Sequence, residues 1–271
     1  MKKPLILLFF LLLPVAASAH RLWFLPAATV LSGEDAWVTF DAAVSNDIFY
    51  FNHFPLKTNQ IQAISPTGKA VELKNTSEGK HRSTFDLHLE QEGTYKVYVA
   101  RSGLRARWED DEGKRHSWPR RGEVPKPGDF EKAVPQKAKN LEVSQTSRRV
   151  ETFVTAGAPS TDVFKTSGEG LELKPLTHPN DLYAGEEAKF QFLIDGEPAA
   201  GAKFTAVPGG MRYRNEQKSI EAKADKKGVV TITWPSAAMY WVEVEYQDSK
   251  AKAPATTRSG SYIATLEVLP Q

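Results

Sequence analysis

The chain has six histidines and no cysteine, so imidazole nitrogen rather than thiolate is what it can offer a transition metal. The most informative of the six is His20. It follows Ala17-Ser18-Ala19, the small-x-small pattern after which signal peptidase cuts. Lys2, Lys3 and the apolar run 5–15 complete the signature of a secretory leader, and the run is too short to span a bilayer comfortably. Cleavage after Ala19 makes His20 the first mature residue, with both a free α-amine and an imidazole. The amine nitrogen and Nδ1 together chelate a metal, and one or two further imidazoles complete a planar or T-shaped nitrogen site. Cu(II) and Ni(II) prefer that tetragonal geometry. The other amino-terminal copper and nickel motif needs histidine at the third mature position, which Leu22 occupies. The competing reading is structural: a terminal histidine simply packs beside Trp23.

His53 and His88 are the candidate partners. His53 lies in the aromatic stretch 48–55, dense enough to shield a ligand, although five apolar residues of eight equally describe core packing. A histidine inside it needs a polar partner, and a metal is one. His88 alternates with Phe85, Leu87 and Leu89, which puts it with Asp86 on the solvent face of a strand. A sheet edge could still carry it to His20. His81 and His116 follow basic residues in polar segments and read as solvated, and His178 reads as a turn or an interdomain contact. No H-x-x-x-H or H-x-x-E-H spacing exists, so a metal site must come from tertiary convergence.

Catalytic patterns are missing. There is no G-x-S-x-G elbow, no cysteine nucleophile and no phosphate-binding glycine loop. The acids at 109–112 precede Lys114 and Arg115 and read as a solvated turn. A glycosidase needs two carboxylates across a cleft, and nothing singles out such a pair. The expectation is a protein that is not an enzyme.

The elements that must position these histidines read as strands. Segments 36–42, 60–64, 70–73, 83–89 and 93–100 alternate or are rich in β-branched and aromatic residues, with turn residues between them. Such short intervals indicate antiparallel sandwiches rather than βαβ units. Residues 105–126 are polar, mixed in charge and proline-rich, and read as a long excursion that tolerates change; a short helix is expected within 129–141. Residues 147–158 return to a strand pattern. After the glycine-rich break at 166–170, seven strand patterns fill about a hundred residues, with hairpin signals at Asp195-Gly196 and Lys227-Gly228 and a polar, mobile tip at 248–258. The expected fold is all-β: a leader at 1–19, a β-sandwich domain at 20–165 and an immunoglobulin-like β-sandwich domain at 171–271, each with its own core.

Of 35 basic residues two leave with the leader, so the mature chain balances 33 basic against 33 acidic residues. That balance argues against a nucleic-acid partner. With no second long apolar run, the mature chain is expected to have no transmembrane segment and to reside in the periplasm.

Several blocks carry a resemblance. His20-Arg21-Leu22-Trp23-Phe24-Leu25-Pro26 resembles the "A-H-x-x-W-x-x-P" opening of the DUF4198 family of exported bacterial proteins. The block from Gly170-Leu171-Glu172 to Ala184-Gly185-Glu186, then Asp195-Gly196-Glu197-Pro198 and Met239-Tyr240-Trp241, are similar to that family's second half. The resemblance implies two β-sandwich domains. Some relatives are described as periplasmic components of nickel or cobalt uptake systems. Taken together with the amino-terminal His20, this gives the expectation of a metal-binding accessory protein for nickel, cobalt or copper, working with an inner-membrane metal permease or an outer-membrane receptor. The alternative is a non-catalytic protein- or glycan-binding module, for which Trp108, Trp118 and Trp234 offer stacking surfaces.

Overall fold

Alternating burial along Ser83–Leu89, with Phe85, Leu87 and Leu89 inside and Asp86 and His88 outside, is what a half-buried antiparallel strand requires. The computed structural model describes residues 20–120 and 122–271, and the leader expected at 1–19 lies outside them. A five-stranded sheet runs Arg21–Pro26, Ala36–Ser45, Ser83–Leu89, Lys74–Glu78, with Phe54–Pro55 also paired to Ala36–Ser45. A four-stranded sheet of Leu171–Pro175, Glu187–Ile194, Glu197–Pro198 and Val229–Thr233 belongs to the second half. Its hairpin at Asp195-Gly196 takes φ of 50° and 81°, the two positive angles of a type I′ turn.

Between these lies one ten-stranded sheet shared by both halves. Lys139–Ala156 pairs antiparallel with Gly93–Glu109 on one side, and from Ser144 to Thr152 runs parallel to Thr257–Val268 on the other. Ala238–Asp248, Lys203–Pro208 and Ile220–Lys223 continue it. The protein is thus all-β, with two sandwiches, the second immunoglobulin-like, built on a common central sheet. Two large cores follow. The first gathers Trp23, Phe24, Phe40, Phe85, Tyr95 and Val97; the second gathers Phe190, Phe192, Phe204, Trp234, Tyr240 and Tyr262. They trade residues: Phe153 of the first half packs in the second core, while Val207, Trp241 and Ile263 of the second half pack in the first. No helix among the described residues is long and apolar enough to cross a membrane.

Of two ionic clusters, the first joins the halves and the second lies within the second half. Arg149 reaches Glu151 and Glu172 at 3.2 Å each, and the Tyr262 hydroxyl donates to Glu151 at 2.9 Å. Burial and the neighbouring Glu151 carboxylate push the Tyr262 hydroxyl well above its ordinary value, so it stays protonated and donates. Arg258, almost wholly buried, binds Asp195 at 3.1 Å, Glu197 at 2.9 Å and Asp248 at 2.9 Å.

The excursion at 105–126 is not a plain loop. Gly93–Glu109 continues far past the sandwich, and Arg115–Trp118 folds back on it, pairing Arg115 with Glu109 and Trp118 with Ala106. The helix expected within 129–141 forms over Asp129–Ala133 and buries Phe130. Phe130, Val134, Ala106, Val143 and Ala255 make a third, small core, with Trp118 set edge-on to Phe130 at 5.4 Å. Ala255 comes from the segment expected to be a mobile tip, which instead packs on this arm. Apolar residues spaced singly among charges concealed the arm. Phe130→Ala removes its largest side chain, a change worth about 3–5 kcal/mol in a well-packed core. Trypsin should then cut at Arg105 and Arg107, which the native arm protects; protection that survives the substitution would show that the helix does not hold the arm down.

Candidate functional site

His20 and His53 are brought together by one strand end. Arg21–Pro26 and Phe54–Pro55 both run antiparallel to Ala36–Ser45, with Arg21 opposite Ser45 and Phe54 opposite Val44. Each strand is preceded by a histidine, so both histidines arrive at the same corner of the five-stranded sheet. Their rings stack with centroids 4.0 Å apart and planes 4° from parallel. Phe54 flanks both, at 4.5 Å from His53 and 6.4 Å from His20. His20 is exposed and His53 half-buried.

The aromatic stretch anchors this corner more than it shields it. Phe49 and Phe51 pack on the buried Trp23 at 5.5 and 5.4 Å. The Trp23 Nε1–H donates to Ser45 Oγ at 2.7 Å, and the Asn46 amide donates to Asn52 Oδ1 at 3.0 Å. Loop 46–53 is therefore pinned at both ends. Guanidinium groups stack on its rings: Arg82 over Phe51 at 4.5 Å and Arg212 over Tyr50 at 4.7 Å. Arg21, next to His20, lies over Trp241 at 4.9 Å and donates to Gln217 at 2.9 Å, so the second half also borders the corner.

A residue that sequence reasoning placed in solvent joins the pair. His81 Nδ1 lies 3.0 Å from the His53 carbonyl oxygen. A carbonyl only accepts, so Nδ1 is the donor. Nothing in the 28-residue separation signals this; it follows from the hairpin between Lys74–Glu78 and Ser83–Leu89.

His88 is not brought to the pair. It stands opposite Trp37, at the other end of Ala36–Ser45, roughly 25 Å along the strand from Ser45. Its ring stacks on Trp37 at 4.3 Å, with Nε2 2.8 Å from Asp35 Oδ1 and Nδ1 3.4 Å from Glu90 Oε1. The solvent-facing reading of its strand holds, and its ring lies away from the His20–His53 pair. His116 is held by Asp110 at 2.7 Å beneath Trp108. His178 donates from Nε2 to the Ser160 carbonyl at 3.2 Å and accepts the Asn180 amide on Nδ1 at 3.1 Å. Burial pushes His178 below the ordinary histidine value and keeps it neutral. As expected it is a turn residue that touches the other half, through Ser160 and Thr94.

The donors at the His20 corner suit a nitrogen-seeking ion in kind, but the rings as they lie do not converge on one. Imidazole lone pairs lie in the ring plane, and a bound ion sits about 2.0 Å from nitrogen. In two parallel planes stacked at 4.0 Å, an ion in one ring's plane lies off the other's. Sharing it requires one ring to turn. His20, exposed and ahead of its ladder, can do so without disturbing a core. Among the described residues no group of three or more His, Cys, Asp or Glu is arranged to hold a metal ion.

The family model described as "Domain of unknown function (DUF4198)" matches residues 17–248, a span that contains this corner and every strand except Thr257–Val268. The chain belongs to the DUF4198 family. No curated protein matches this DUF4198 chain. Among solved structures it is similar to the D0-D1 domain of intimin, at 11% identity over 91% of this chain and 97% of that one, with a TM-score of 0.24. A DUF3823 family protein from Bacteroides uniformis shares 13% identity over 81% of this chain and 93% of its own, with a TM-score of 0.22. An ICAM-5 D1-D4 ectodomain fragment shares 11% over 92% of this chain and 51% of its own, at 0.21. Scores this low transfer neither arrangement nor function to the DUF4198 chain.

Proposed function

We propose that this DUF4198 protein is a periplasmic metal-binding accessory protein that handles nickel, cobalt or copper for a membrane permease or receptor, with His20 and His53 as ligands. The observation that carries the reading is the direct contact of these two imidazoles across 33 positions of sequence, at the corner where cleavage after Ala19 would create the mature terminus. Three nitrogens are then at hand: the α-amine and ring of His20, and the ring of His53. Nitrogen donors of this kind suit Ni(II), Cu(II) and Co(II) better than the oxygen-seeking Mg(II) or Ca(II). His81 supports His53 through its carbonyl rather than binding the ion.

The test is calorimetric titration of Ni(II), Co(II) and Cu(II) into the mature chain and its histidine variants. His20→Ala and His53→Ala should each weaken binding at least about tenfold, or 1.4 kcal/mol. His88→Ala should leave affinity unchanged. Affinity should fall as pH drops, because protons compete for the same lone pairs. Equal affinity in all the variants would place any bound metal elsewhere.

A further inference from the structure

The arm carries a second site, unrelated to the histidine corner. A cavity of about 530 Å3 opens between Arg115–Trp118 and the helix Asp129–Ala133, within the range of small-molecule sites. Two indoles, Trp108 and Trp118, line it and are only partly buried. Each indole has a ring against it: Trp118 has Phe130 at 5.4 Å, and Trp108 has His116, which also lines the cavity and which Asp110 holds at 2.7 Å. Large amphipathic rings are what binding faces use.

Its polar rim is more specific. Glu123 and Asp129 are each fixed by a backbone amide, from Arg120 at 2.8 Å and from Lys126 at 2.9 Å. Arg120 and Lys132 also line the cavity, and neither side chain makes an ion pair among the described residues. Two cations against two carboxylates leave the rim without net charge. An anionic ligand such as a phosphate, or a cationic one such as an ammonium, would meet as much repulsion as attraction. A neutral ligand with many hydroxyls meets only partners: its hydroxyls donate to the carboxylates, accept from Arg120 and Lys132, and its C–H faces lie on the indoles.

We infer that this cavity binds a neutral saccharide, with Trp108 and Trp118 as stacking surfaces and Arg120, Glu123, Asp129 and Lys132 as its hydrogen-bonding rim. The site is independent of the metal reading, and metal-free protein serves to test it. The mature chain is titrated calorimetrically with chitotetraose, cellotetraose and maltotetraose, and with a heparin tetrasaccharide as the acidic probe. At least one neutral probe should bind with a sub-millimolar Kd and change the tryptophan fluorescence. Asp129→Asn and Lys132→Ala, both on the rim and outside the small core, should weaken it at least about tenfold. Trp118→Ala should abolish it. Because that variant also loosens the arm, the two rim variants decide. No binding of any neutral probe at millimolar concentration, binding of heparin alone, or unchanged affinity in both rim variants would overturn the inference.

Discussion

Arg258→Ala is expected to lower stability by about 3–5 kcal/mol, the cost of leaving buried charges without their partner. The guanidinium is almost wholly enclosed and binds Asp195 and Asp248, themselves mostly buried, and the more exposed Glu197. Asp195 also accepts the Gly170 amide at 2.8 Å, so the cluster fixes the chain where the second sandwich begins. The loss should depend on pH. Burial alone would raise Asp248, but hydrogen bonds from Arg258, the Lys250 amide and the Tyr246 hydroxyl hold it below the ordinary carboxylate value. A depressed carboxyl contributes stability that is present above its unfolded value, about 3.9, and is lost as pH falls through its lower folded value. Denaturant unfolding at pH 7 and 5 should therefore show the full deficit, and at pH 3 a smaller one. Arg258→Lys, which keeps the charge but not the planar fork, should fall between. A deficit under about 1 kcal/mol at pH 7 would mean the cluster behaves as an exposed ion pair.

Residues 171–271 expressed alone are expected to fail as a folded monomer. Two cores and a glycine-rich break suggest separable domains, but the central sheet does not stop at the break. Without the first half, Thr257–Val268 loses its parallel partner from Ser144 to Thr152 and becomes a long bare edge. The second core also loses Phe153, and Arg149 no longer neutralises the buried Glu172. Sedimentation and circular dichroism of the fragment should show aggregation or incomplete structure, while residues 20–271 together unfold cooperatively. A monomeric fragment with a cooperative transition would contradict the shared-sheet account.

The pattern of Ser83–Leu89 was fully legible, down to His88 facing solvent, because one face of that strand is buried and alternation records it. The second half's strands and its Asp195-Gly196 turn were legible for the same local reasons. The outer parts of Gly93–Glu109 and Lys139–Ala156 were not, because past Val99 in the first and before Val150 in the second the side chains turn mostly polar on both faces. The parallel pairing of Lys139–Ala156 with Thr257–Val268 joins segments more than a hundred residues apart and leaves no local trace. At the site, residue type pointed to His20 and His53, and only register could say that they meet. The same register carries His88 to the far end of the strand and brings His81 in.

The claim that the mature terminus is the metal site is tested most directly by changing where the chain begins. Calorimetric titration of Ni(II) and Cu(II) into protein starting at His20 is compared with protein carrying one added glycine before it. The added residue converts the α-amine to an amide and leaves both rings in place. Affinity should drop at least about tenfold in the extended protein, with no change in the thermal stability of the metal-free form. Equal affinity in the two would contradict ligation by the terminus.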